Sequence, residues 1–127
     1  MNRDQVILSL RPNIKTIKSD LMSSDQEKLQ NEVIRPIVKF QHELIIDIFK
    51  DYLHEKKIQL DLLSTENQII KITRVVQKDR TLTIQLQSII IAYFTLKEYK
   101  QFNLMQSSMK KRIAQIIRER IINTLVK

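Results

Sequence analysis

The chain has 127 residues, a formal charge of +8 and 43% hydrophobic residues, enough for one buried core and too short for two domains. It contains no cysteine and no glycine, which excludes disulfides, thiolate zinc sites, thiol nucleophiles and the glycine-built phosphate loops of Walker and dinucleotide type. The longest uncharged apolar run, Ile89 to Phe94, has six residues, too short for a membrane span or a signal-peptide core, so the expected protein is soluble and cytoplasmic.

Tight primed hairpin turns need positive φ angles, which only asparagine could supply here, so the missing glycine argues for an all-helical fold. Residues 1–24 read as an N-terminal arm. Gln5 to Leu10 is a short helix capped by Asn2 or an extended segment, and Arg11-Pro12 stops either one. Ile14, Ile17 and Leu21 then suit a turn or two of helix lying on the bundle.

From Asp25 to Lys57 the spacing predicts one long central helix. Leu29, Val33, Ile37, Phe40, Leu44 and Ile48 recur at steps of three and four, and Ile34, Ile45, Phe49, Tyr52 and Leu53 widen the stripe. Ser24 with Glu27 predicts a capping box at its start. Pro36 removes the amide that would bond to the carbonyl of Glu32, which predicts a kink between Val33 and Ile37. A straight rod of this length would measure about 50 Å, longer than a compact chain of this size is wide, so the helix either bends or projects onto a second copy.

Ser64-Thr65-Glu66 supplies cap residues for a helix burying Ile69, Ile72, Val75 and Val76 and running to about Asp79. A further helix, about Leu82 to Tyr93, carries Leu86, Ile89, Ile90 and Phe94. Thr95 with Glu98 makes a capping box for a short connector helix with Tyr99 and Phe102, ending near Asn103 as a left-handed cap. Ser107 or Ser108 starts the last helix, which carries Ile113, Ile116, Ile117, Ile121 and Leu125.

Two stretches, Asn31-Glu-Val-Ile-Arg-Pro-Ile-Val-Lys-Phe-Gln-His and Phe94-Thr-Leu-Lys-Glu-Tyr, resemble a family of small, functionally unassigned helical proteins from flavobacteria, some of which carry a glyoxalase label. The resemblance covers most of the chain, and its motifs are architectural. Metal-type glyoxalases hold their metal with His and Glu on strands, so no functional residue is carried over to a chain with two histidines and no strand pattern.

Positive charge concentrates at the end: Lys97, Lys100, Lys110, Lys111, Arg112, Arg118, Arg120 and Lys127 stand against only Glu98 and Glu119. Such a patch, near Tyr93, Phe94, Tyr99 and Phe102, is the footprint of a phosphate-binding or base-stacking surface. At 100° per residue, however, Lys110, Lys111 and Arg112 point three ways, and the aromatics fall on apolar faces, as core does. The central helix carries Glu43, Asp47, Asp51 and Glu55 at steps of four, which repel unless cations lie along them. Asp47, Asp51 and His54 are metal-ligand types on one face, but the Glu-x-x-His motif of helical di-metal sites is absent, and pairing with the basic last helix is preferred to a metal. Gln41 and His42 fall inside the apolar arc, as satisfied core groups or as groups facing a ligand. Arg120 lies among Met109, Ile113, Ile116 and Ile117. It is either buried against one of the four acids or set in a functional cleft.

The expected molecule is a single all-α domain over residues 1–127: a bundle of four main helices, a short connector helix, an N-terminal arm and a long Pro-kinked central helix. Its expected role is a non-enzymatic interaction or structural module that self-associates as a homodimer, without metal or cofactor. The alternative is an anion or nucleic-acid binding module using the basic C-terminal helix, with Gln41, His42, Lys110, Lys111, Arg112, Arg118 and Arg120 as candidate contacts. A glyoxalase-labelled enzyme is the second alternative.

Overall fold

Without glycine, a tight chain reversal falls mainly to capping side chains or to a residue forced into an unfavourable backbone region. The computed structural model describes residues 1–12 and 24–127 and shows both solutions. The described residues are helical, with no strand among them. Helix α1 spans Arg3–Leu10, and the Asn2 side chain and Gln5 form a reciprocal capping box at its start. Of the two readings of this segment, the helix is the one observed. The apolar series Ile14, Ile17 and Leu21 lies outside the described residues.

The long helix is built in four pieces: α2 (Asp25–Leu29), a π-helical turn (Gln30–Ile34), α3 (Arg35–Phe40) and α4 (His42–Glu55). Ser24 caps it by accepting from the Glu27 N–H at 3.1 Å. The Glu27 carboxylate accepts from the Ser24 hydroxyl at 3.2 Å rather than from the Ser24 backbone, so the predicted box is only half made. The Arg35 N–H reaches back to the Gln30 carbonyl, and Pro36, which has no N–H to offer, follows directly, where π bonding gives way to α bonding.

This insertion changes which face is buried. The buried residues Leu29, Val33, Ile37, Gln41, Ile45, Phe49 and Leu53 recur at steps of four throughout. On an ideal α-helix each such step drifts by about 40°. The π turn, with more residues per turn, reverses part of that drift, and Gln41 at φ −91°, ψ 9° breaks the regular path again. Phe40 and Leu44, expected in the stripe, are therefore 40% and 45% exposed, and Ile48 is half-buried.

Helix α4 closes on Lys57, the one non-glycine residue with positive φ (57°) among the described residues. The Ile58 N–H bonds to the Leu53 carbonyl at 2.9 Å and the Lys57 N–H to that of His54 at 3.1 Å, the Schellman pattern that glycine usually serves. A short 3-10 turn (Leu60–Leu62) leads to α5 (Thr65–Lys78), capped by Ser64. Asp79 caps α6 (Arg80–Ile91) through the Leu82 N–H at 3.0 Å. Tyr52 donates to the other Asp79 oxygen at 2.9 Å, tying α4 to this corner. In α5 the buried positions are Gln68, Ile72, Val75 and Val76; Ile69, expected inside, is 39% exposed.

Thr95 and Glu98 form the predicted capping box at the start of α7 (Leu96–Leu104). That helix ends at Met105 with φ −127°, not at a left-handed Asn103, and α8 (Gln106–Leu125) starts from Met105 without a side-chain cap. Ser108 is not a cap; it donates to the Met105 carbonyl. Helix α8, not the long helix, is the spine of the domain. It touches α3, α4, α5, α6, α7 and the π turn, burying Met109, Ile113, Ile116, Ile117 and Ile121. Each such side chain contributes about 1.5–3 kcal/mol of burial free energy.

Helix α1 docks at the α6–α7 corner through charge. Arg3 donates to the carbonyls of Ala92 (2.9 Å) and Phe94 (3.0 Å), and Arg11 to that of Tyr93 (3.0 Å), where the carbonyl end of α6 is left open. Arg11 also holds both Glu98 oxygens at 2.8 Å, with the two side chains only 11% and 15% exposed. Asp4 accepts from the Leu96 N–H at 3.2 Å, beside the N-terminal end of α7. Burial by itself would raise the Glu98 carboxyl, but hydrogen bonds from Arg11 and the Thr95 N–H, with the Arg11 charge, hold it below the usual carboxylate range.

Candidate functional site

Arginine side chains in a folded domain usually meet carboxylates, as Arg11 does, because a guanidinium taken from water needs a compensating charge. A second set of arginines breaks that pattern. The π turn and the start of α3 face α8 across a cleft of about 240 Å³ lined by Gln30, Arg35, Arg112, Gln115, Ile116 and Glu119. Arg112 donates to the side-chain Oε1 of Gln30 at 2.8 Å and to that of Gln26 at 3.1 Å. Gln26 is itself oriented, since its amide nitrogen donates to the Ser108 hydroxyl at 3.0 Å. Arg35 donates through Nε to Asn31 at 3.3 Å. All the acceptors are neutral amides, and each leaves most of its guanidinium's five N–H groups for something else.

Arg120 stands one helical turn beyond Ile116. Its Nη1 lies 3.1 Å from Nδ1 of His42, the first residue of α4. A guanidinium can only donate, so Nδ1 accepts and the imidazole proton sits on Nε2. Desolvation, followed by the nearby charge of Arg35, lowers the Arg120 pKa, so two like charges are held together in a half-buried place. Among the described residues the only ion pairs are Arg3–Asp4 and Arg11–Glu98. The expected pairing of Arg120 with Glu43, Asp47, Asp51 or Glu55 is thus replaced by His42, and those four acids are all exposed.

Of the residues singled out in the sequence, Arg112 lines the cleft, and Arg120 pairs with His42 off its lining. Lys110 and Lys111 are exposed, and the side chain of half-buried Arg118 makes no hydrogen bond among the described residues. Gln41 is a buried core amide whose nitrogen donates to the Ile89 carbonyl at 3.1 Å. Sequence reasoning missed Arg35, Gln26 and Gln30. The available signal was local: Gln26 and Gln30, four apart, share one helix face, and Arg35 sits against a proline at a position where helices distort. A π turn at the site fits, because such insertions concentrate at functional places.

The other concave places are chemically different. Asp51, Glu55 and Asp79 line a 410 Å³ hollow with Tyr52 and Lys56. Its best-held carboxylate, Asp79, is committed to capping: the Leu82 N–H and then Tyr52 lower its pKa, while burial and the bond to Asp79 raise that of Tyr52. No three metal-ligating side chains gather among the described residues. His42 and His54 stand at opposite ends of α4, about 18 Å apart along its axis, so the two imidazoles do not converge. No helix among the described residues is long and apolar enough to cross a membrane.

No protein-family model matches the chain, and no curated protein or solved structure matches it either. The class is therefore set by fold and site alone: an all-helical domain with an arginine-lined cleft between its long helix and its last helix.

Proposed function

We propose that the protein is a non-enzymatic binding module that takes an anion in the cleft between the π turn and α8. One observation carries this reading: Arg35 and Arg112 line the cleft with neutral hydrogen-bond partners, Arg120 lies off the lining within charge range of Arg35, and no carboxylate is paired to any of the three among the described residues. Such an arrangement costs stability in the empty protein, and proteins keep costly polar arrangements where a ligand repays them. The proposed scaffold is a bundle of four main helices, the long helix from Asp25 with α5, α6 and α8. Helix α7 is its connector, α1 belongs to an N-terminal arm, and Pro36 with the π turn bends the long helix.

The experiment is NMR observation of the arginine Nε–Hε signals during titration with a mixture of glycerol phosphate, inorganic phosphate, citrate and an oligonucleotide. Movement confined to Arg35, Arg112 and Arg120 supports the reading. Movement of none of them, or of Arg3 and Arg11 alone, removes it.

A second reading, self-association as a homodimer, is favoured by the apolar side chains Phe40 and Leu44, one turn apart and exposed on the long helix, with Tyr93 against Phe40 at 5.3 Å between ring centroids. A molecular mass by light scattering that stays monomeric at all concentrations above micromolar counts against it.

A further inference from the structure

We infer that the ligand of the arginine cleft is a small phosphate monoester, in which a phosphoryl dianion on a compact hydroxylated scaffold meets the guanidiniums. This rests on the anion-binding reading and narrows it by size, charge and hydrogen-bonding capacity.

Size excludes the larger anions. At about 240 Å³ the cleft displaces on the order of eight waters, below the range of pockets that enclose nucleotide-sized ligands. A nucleic-acid strand would instead need a basic track, and the residues that could extend one from Arg112, Lys110 and Lys111, leave α8 in other directions and are exposed.

Charge fixes the valence. Arg35 and Arg112 put two positive charges on the lining against one negative from Glu119, and Arg120, off the lining beside His42, adds a third close enough to act on Arg35. The surplus of two matches a phosphoryl dianion and leaves a monocarboxylate short of the charge needed to relieve the Arg35–Arg120 repulsion.

Hydrogen bonding fixes the shape. Guanidinium forks offer parallel N–H pairs suited to phosphoryl oxygens, and Arg112 is pinned by Gln26 and Gln30 so that its free edge is pre-oriented. Glu119 is the one anionic group on the lining, and among the described residues its carboxylate accepts only one long hydrogen bond, from Gln115 at 3.4 Å. A carboxylate at that place repels a bare oxyanion, which disfavours free inorganic phosphate and citrate, but it accepts readily from a hydroxyl next to the phosphoryl group.

The test is calorimetric titration of the full chain with glycerol phosphate, citrate and a single-stranded oligonucleotide. Glycerol phosphate should bind one per chain and more tightly than citrate. Replacement of Arg112 by lysine, which keeps the charge but loses the fork, should weaken it about tenfold. The Lys110→Ala/Lys111→Ala double variant should bind within about twofold of the original, since a rim or remote charge contributes little. Citrate or the oligonucleotide binding through Arg112 while glycerol phosphate does not overturns the phosphate assignment and leaves the anion-binding reading standing. Binding of none of the three overturns both. Binding that survives Arg112→Lys and is lost in the lysine double variant moves the site off the cleft and overturns the inference.

Discussion

The domain uses arginine in two opposite ways. At the α6–α7 corner Arg11 is nearly buried, bidentate on Glu98 at 2.8 Å and further bonded to the Tyr93 carbonyl, so its charge is answered. In the cleft Arg112 is answered by glutamine amides and Arg35 by an asparagine, while Arg120, off the lining, is answered by an imidazole and opposes Arg35. The same side chain is a staple in the first place and an open donor in the second. What separates them is the charge of the partner, which composition cannot show and three-dimensional placement can.

The difference has measurable consequences, the largest at the corner. Arg11→Ala strands the largely buried Glu98 carboxylate and should cost about 3–5 kcal/mol in urea unfolding, whereas an Arg11→Met/Glu98→Leu double replacement should recover most of that loss. Equal losses in the single and the double variant would mean the pair is not what holds α1 down.

The same pair sets an acid limit. Because the folded Glu98 carboxyl lies below its usual 4.5, its contribution is fully present above that pH and is lost as the pH falls through the lower folded value. Melting temperatures of the protein and of Glu98→Gln should therefore differ at pH 7 and converge towards pH 3. A constant difference across that range would place the stabilisation elsewhere.

A position outside both regions calibrates these numbers. Lys57 holds the left-handed end of α4 at φ 57°, where a side chain is a liability, so Lys57→Gly should raise stability by about 0.5–1 kcal/mol. A loss there would show that the Lys57 stem packs usefully, and would weaken any reading of small gains in the cleft.

The smallest effect is expected at Arg120, off the cleft lining and within charge range of Arg35. In Arg120→Met the lost bond to His42 is offset by relief of desolvation and of repulsion from Arg35, so ligand-free stability should change by less than about 0.5 kcal/mol or rise. A loss of several kcal/mol would make Arg120 a structural arginine after all.

The parts of this contrast that were legible in the sequence are the local ones. The Thr95–Glu98 box, Ser24, Ser64 and the apolar series of α8 depend on residues within a turn or two of each other, and the spacing alone carries them. Arg11 and Glu98 are 87 positions apart, so their pairing is a tertiary fact with no local mark. The π turn is equally silent: nothing in Gln30–Ile34 announces an added residue per turn, and of the wide expected stripe the Ile45 and Phe49 side is buried while Phe40 and Leu44 are left exposed. At Asn103 the residue type suited a left-handed cap, but α7 runs past it to Leu104 and turns at Met105 without one. Arg120 was recognisable as an arginine in an apolar arc, and its partner was not, because four exposed acids on the long helix offered a plausible and incorrect match.

The central claim is that the cleft arginines stand ready for an anionic ligand and that the corner arginines hold the fold. Melting the protein, Arg112→Ala and Lys57→Gly with and without saturating glycerol phosphate tests it most directly. The account predicts that the ligand raises the melting temperature of the protein and of Lys57→Gly by several degrees, as about 2.7 kcal/mol at a hundredfold excess over Kd requires, and leaves Arg112→Ala where it was. An equal rise in all three, or none in any, would contradict it.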